Sequence, residues 1–165
     1  MMSGRSIIGI GLIFMLAATC NAQQSPVITD SCCVKKIDSL VRYAKRCVGI
    51  PYEWGGDGPD SYDCSGFVCH VYAYVGVSLP RNSKLQSEAG VFKTRRTIKK
   101  GDLVFFVSGE PREISHVGIA ITDYEDGNFK FIHANRKDGC VSVSQFNDPF
   151  FKNSYGGTRR IILCR

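Results

Sequence analysis

The 165-residue chain has eight cysteines but no C-x-x-C pair. Its three histidines, His70, His116 and His133, do not fall at the short paired spacings of common zinc sites. A metal centre built on those ligands is set aside, and no cofactor is called for. The chain also lacks an apolar run of the roughly 20 residues that a membrane-spanning helix needs. The stretch from Ile7 to Ala18 covers about twelve, follows the positive charge of Arg5, and reads as the core of a secretory signal peptide. No internal repeat and no low-complexity tract breaks up the remainder. There is no large excess of one charge either: 21 Lys and Arg stand against 15 Asp and Glu, a formal net charge of +6. The basic residues cluster only at Lys93, Arg95, Arg96, Lys99 and Lys100. That cluster reads as a solvated face, with a basic surface near anionic envelope polymers as the other reading. Export argues against a nucleic-acid partner.

The expected organisation is a signal peptide over residues 1–22, a flexible leader over 23–33 and one domain over 34–165. Cleavage is expected after Ala22. Lipid attachment at Cys20 is the alternative, in a context where Thr19 replaces the usual Gly or Ala. The protein is therefore expected in the periplasm or cell envelope. One domain of this length can bury a sizeable core, and no accessory module is expected before Val34. Without Cys20 the cysteines number seven, at Cys32, Cys33, Cys47, Cys64, Cys69, Cys140 and Cys164. At least one then stays free or pairs between chains, and Cys32 and Cys33 are too constrained to bridge one another.

Along the domain, Ile37, Leu40, Val41 and Ala44 recur at helical spacing within Val34 to Val48, with Gly49 as a stop. A glycine-rich loop from Ile50 to Asp63 leads to a second helix, predicted from Cys64 to about Tyr74. Ser83 to Ala89 can form a short third one. Beyond Gly101 the pattern changes to strands at Leu103 to Val107, Val117 to Thr122, Phe129 to Ala134, Val141 to Ser144 and Arg159 to Leu163, separated by Gly, Pro, Asn and Asp turns. Helices first and an antiparallel sheet second predict an α+β domain.

The segment Tyr62-Asp63-Cys64-Ser65-Gly66-Phe67-Val68 places a thiol where loop gives way to helix. Unpaired backbone N–H groups and the helix dipole favour the thiolate there. A small buried hydrophobe fits this heptapeptide as well, so partners must decide. A cysteine nucleophile needs a base, and the base needs an orienting group. His116 is predicted at the start of one strand and His133 at the end of the next, which a hairpin makes neighbours. A Cys64–His116–His133 triad follows. His70 and Cys69, six and five positions after Cys64, face away on the helix. Asn135 is an alternative orienting group.

Six ordered segments, Pro51-Tyr52-Glu53-Trp54-Gly55-Gly56, Asp63-Cys64-Ser65-Gly66-Phe67-Val68, Leu79-Pro80-Arg81-Asn82-Ser83, Gly101-Asp102-Leu103-Val104-Phe105-Phe106, His116-Val117-Gly118-Ile119 and His133-Ala134, resemble the NlpC/P60 family of cell-wall cysteine peptidases. The resemblance covers about Val34 to Arg165. It implies a papain-like fold and cleavage of peptidoglycan stem peptides, commonly between γ-D-glutamate and a diamino acid such as meso-diaminopimelate. It implies Cys64 as nucleophile, His116 as base and His133 as orienting residue. It further implies substrate contacts at Tyr52, at Asp63 and Ser65, which would bind a free amino end, and at Arg81, which would meet carboxylates. The expected absence of an accessory module departs from many relatives and leaves substrate choice open. Three competitors remain at this point: an amidase cutting between muramic acid and L-alanine with the same triad, a non-catalytic wall-binding protein, and a thiol-redox or disulfide-linked structural protein.

Overall fold

The computed structural model describes residues 31–164. The expected signal peptide, the lipidation alternative at Cys20 and residues 23–30 of the expected leader lie outside the described residues. Residues 31–33 are helical: α1 spans Ser31–Arg46 and starts ahead of the expected Val34. The reason is a disulfide between Cys33 and Cys164, which anchors the first turn in a way that apolar periodicity does not register. Leu40, Val41 and Ala44 form the buried stripe of α1, and Lys45 and Arg46 sit in its last turn, where the helix dipole favours cations.

The second helix, α2, spans Cys64–Tyr74 and buries Phe67, Val68, Val71 and Tyr72. A single turn, α3 (Ser83–Gln86), is capped by Asn82, whose side chain accepts from the N–H groups of Lys84 and Leu85. Among the described residues six strands form one antiparallel sheet: β1 (Val91–Phe92), β2 (Leu103–Ser108), β3 (Glu113–Ala120), β4 (Lys130–Asn135), β5 (Cys140–Gln145) and β6 (Tyr155–Arg160). Their spatial order is β1-β6-β2-β3-β4-β5, and the six-residue helix α4 (Pro149–Ser154) precedes β6. The chain is an α+β fold with its helices leading into an antiparallel sheet.

Strand alternation divides the core between the two faces of the sheet. Leu103, Phe105, Ile119 and Ile132 pack under α1 and α2 with Leu40, Val71 and Tyr72. Val104, Phe106, Phe129, Phe131 and Phe146 form a second cluster on the other face, joined by Phe151 of α4. Burial on both faces explains why β2 reads as the unbroken apolar run Leu-Val-Phe-Phe-Val. Three strands differ from expectation, the first being β1 at Val91–Phe92, ahead of Gly101 where no strand is expected. β6 lies over Tyr155–Arg160 and not over Arg159 to Leu163, because two glycines, a threonine and two arginines show no apolar period; pairing with β2 and β1 makes it a strand. β3 begins at Glu113, and the β2–β3 register shifts between Phe106 and Val107. That bulge, which bends a strand and re-aims its side chains, lies beside Phe106, the partner of His116.

Candidate active site

Cys64 is the first residue of α2, and Asp63 caps the helix by accepting from the N–H of Gly66 at 2.7 Å. The loop ahead of it is held on both sides: Tyr52 N–H donates to Gly139 O at 2.8 Å, Glu53 N–H to Tyr62 O at 3.0 Å and Asp63 N–H to Gly56 O at 2.8 Å. Arg81 then crosses the helix start. Its guanidinium donates to Asp63 Oδ1 at 2.7 Å and Oδ2 at 2.9 Å, to Ser65 Oγ at 2.8 Å and to Gly56 O at 2.7 Å. This approach requires a glycine at position 66, where a Cβ would lie 2.2 Å from Gly56 O and 2.7 Å from an Arg81 nitrogen. Burial opposes ionisation of Asp63, but hydrogen bonds from Arg81, the Gly66 N–H and Ser65 outweigh it and hold the carboxyl below its ordinary range.

On the sheet, His116 Nε2 and His133 Nδ1 are 2.7 Å apart, and His133 Nε2 lies 3.0 Å from Ser144 Oγ. Gly118 makes room for this pairing, since a Cβ there would lie 2.9 Å from the Phe131 ring and 3.2 Å from His133 Cβ. Phe106 packs on His116, while Phe131 and Phe151 pack on His133. In that apolar surround burial drives the His116 pKa down to about 4. Burial and the neighbouring His116 hold His133 well below its usual value. Both rings are therefore neutral at pH 7. The Cys64 thiol lies against the backbone at Val117, the residue after His116. Backbone hydrogen bonds at Val117, Ser65 and Cys64 favour the thiolate, but burial first and the Asp63 charge second outweigh them and raise the pKa above its ordinary 9.0. The helix start alone thus does not ionise the thiol, contrary to the expectation from its position. Tyr52 is close enough that Cys64 and Asp63 raise its pKa after burial does, with Arg136 acting in the opposite sense.

The NlpC/P60 family model matches residues 49–160, well over half of the chain. The chain belongs to the NlpC/P60 family. It is 35% identical over 126 residues to a gamma-D-glutamyl-L-lysine dipeptidyl-peptidase of Bacillus cereus, covering 76% of this chain and 36% of that protein. It is 36% identical over 115 residues to the murein DD-endopeptidase MepS/murein LD-carboxypeptidase of Escherichia coli, covering 69% of this chain and 57% of the relative. A crystal structure of an NlpC/P60 family protein from Bacillus cereus superposes with a TM-score of 0.69 at 33% identity, over 83% of this chain and 42% of the other. The chain thus spans between about a third and somewhat over half of the length of these relatives.

Within this NlpC/P60 domain the expected site residues fall into two groups. Tyr52, Asp63, Cys64 and Ser65 gather at the start of α2, while His116 and His133 form the hydrogen-bonded pair on β3 and β4. Among the described residues no hydrogen bond joins the thiol directly to His116; catalytic hydrogen bonds are often long in unliganded enzymes and tighten on binding substrate. Arg81 is not a free cation, because every contact described above ties it to Asp63, Ser65 and Gly56. His116 lies within β3 and not at its start, since the strand extends back to Glu113. Asn135 is turned into the β4–β5 turn, donating to Asp138 Oδ2 at 2.8 Å and accepting from the Lys137 N–H. His70 bonds Tyr43 Oη at 2.7 Å, between α1 and α2. Two contributors escaped sequence reasoning. Ser144 is one of two serines alternating on β5, and nothing local distinguishes it. Gln86, fully buried, donates to Pro80 O at 2.7 Å and Ser65 O at 3.2 Å, tying α3 to α2.

Proposed function

We propose that this chain is an exported cysteine peptidase that hydrolyses peptidoglycan stem peptides at the γ-D-glutamyl–diamino acid bond. The observation that carries the reading is the neutral His116–His133 pair beside a thiol mounted at a helix start, in a chain of the NlpC/P60 family. The names of the Bacillus and Escherichia relatives point to the same substrate class. In the mechanism His116 takes the thiol proton as Cys64 Sγ attacks the amide carbonyl. The oxyanion is met by the Cys64 backbone N–H at the helix start and by the Tyr52 hydroxyl. His116 then gives the proton to the leaving amine, the C–N bond breaks, and a thioester remains. Water, deprotonated by His116, attacks the thioester and releases the γ-D-glutamyl carboxylic acid together with the Cys64 thiol. His133 orients His116 throughout.

In this reading Asp63 and Ser65 face the free amino end of the stem peptide, and Arg81 holds that pair in position and does not contact the substrate's carboxylates. The test is a digest of the tripeptide L-Ala-γ-D-Glu-meso-diaminopimelate and of muropeptides, read by mass spectrometry. Wild type is expected to release free diaminopimelate and Cys64→Ala to release none. Persistent cleavage by Cys64→Ala would refute the assignment. A new L-alanine amino terminus on the muropeptides would identify an amidase instead.

A further inference from the structure

We propose that Ser144 is a positioning residue that sets the proton arrangement of the His116–His133 pair and thereby keeps His116 able to act as a base. The inference rests on the triad reading above and adds a member to it. The three side chains stand in line, with His116 Nε2 2.7 Å from His133 Nδ1 and His133 Nε2 3.0 Å from Ser144 Oγ. Ser144 is opposite Phe131 in the β4–β5 register, diagonal to His133, which brings its short side chain within reach of the ring.

Each neutral imidazole carries one N–H, so the line admits two arrangements. In the first, His116 Nε2–H donates to His133 Nδ1, His133 Nε2–H donates to Ser144 Oγ, and His116 Nδ1 keeps a lone pair. In the second every bond is reversed: the Ser144 hydroxyl donates to His133 Nε2, His133 Nδ1–H donates to His116 Nε2, and His116 Nδ1 carries the proton. Only the first leaves a nitrogen to accept the Cys64 proton. When that proton moves from Sγ to His116 Nδ1, no other hydrogen bond in the line has to change.

A serine hydroxyl can serve either arrangement, and its surroundings decide between them. Ser144 is half-buried and lines a cavity of about 370 Å³ with Gln145, Asn147 and Asp148. Its O–H can be directed there, which leaves the oxygen to accept from His133. His133 itself has no exposed surface and is packed by Phe131 and Phe151. Without the Ser144 oxygen, the first arrangement strands an N–H among those rings, whereas the second leaves only an unfilled lone pair. Orphaned buried N–H groups are the rarer and costlier of the two. Removing the hydroxyl should therefore reverse the line and leave His116 protonated on the wrong nitrogen.

The test is a long-range ¹H–¹⁵N correlation spectrum of the unliganded, labelled protein at pH 7, with His70 as an internal reference outside the line. In wild type both His116 and His133 are expected as Nε2–H tautomers. Ser144→Ala is expected to convert both to Nδ1–H and to lower kcat on the tripeptide at least tenfold with KM unchanged, and Ser144→Thr to restore both readouts. Nδ1–H tautomers in wild type, or unchanged tautomers in Ser144→Ala, overturn the proposal without reference to activity. A tautomer reversal in Ser144→Ala with full activity upholds the positioning role and refutes the triad reading instead.

Discussion

In the proposed mechanism a thiol raised above 9.0 is paired with an imidazole lowered to about 4. Both shifts come mainly from burial, which disfavours each charged form. On that proposal the resting pair is thiol and imidazole, and the proton moves only as the carbonyl is attacked. Below about 4 His116 is protonated in the free protein and cannot accept the thiol proton. Above the raised pKa of Cys64 the proton needed by the leaving amine is gone. The kcat/KM profile on the tripeptide is expected to be flat from near pH 5 to pH 9, with the acid limb close to 4. An acid limb at the ordinary histidine value of 6.5 would show that burial does not govern His116. Conformational stability has a related slope. The unfolded chain takes up protons that the two buried rings refuse, so stability falls as pH drops from 6.5 towards 4.

Helix α2 connects those side chains to the fold, and its start is where local preference and tertiary demand conflict. Glycine inside a helix costs about 1 kcal/mol relative to alanine, so Gly66→Ala judged on propensity alone should stabilise. The structure predicts the reverse, because the new Cβ would lie 2.2 Å from the Gly56 carbonyl oxygen, which is backbone and cannot rotate away. Overpacking of this kind typically costs about 1–3 kcal/mol. We expect Gly66→Ala to lower stability in urea unfolding by an amount in that range. It should also cut kcat/KM at least tenfold, because the Arg81 contacts to Asp63 and Ser65 must shift. A gain in stability with full activity would show that the loop yields freely. The ends of α2 were legible because Gly and Pro precede Cys64 and Gly76 follows Tyr74, and apolar spacing marked the face between. β6 and α4 were not legible: one carries its pairing on glycines and arginines, and the other is a six-residue helix too short to show a period.

Over the whole molecule, the disulfide from Cys33 to Cys164 closes a separation of 131 residues and ties the first turn of α1 to the segment after β6. Cross-linking so long a loop restricts the unfolded chain, and losing a native disulfide of this kind costs roughly 2–5 kcal/mol. Cys33→Ser is expected to lower the thermal midpoint by about 10 °C for a domain of this size. A reductant should lower the wild type similarly and leave the variant unmoved, with little effect on peptide cleavage below the transition. Equal midpoints for both proteins in oxidising buffer would show that the bridge adds nothing to stability. The remaining described cysteines, Cys32, Cys47, Cys64, Cys69 and Cys140, are free. This agrees with the odd count read from the sequence, and it leaves Cys64 unencumbered.

The α+β order of elements, the helix opening at Cys64 and the family were all readable from residue order, because turn residues, apolar spacing and ordered motifs are properties of neighbours along the chain. The meeting of His116 with His133 was readable only as far as hairpin pairing allowed. Its hydrogen bond, the bulge beside Phe106 and the third partner at Ser144 depend on strand register and on aromatic packing from α4. The occupancy of Arg81 and the high pKa of the thiol were likewise decided in three dimensions. A charge or a thiol has the same identity anywhere in a sequence, but its pKa and its availability depend on which groups surround it and how much water is excluded.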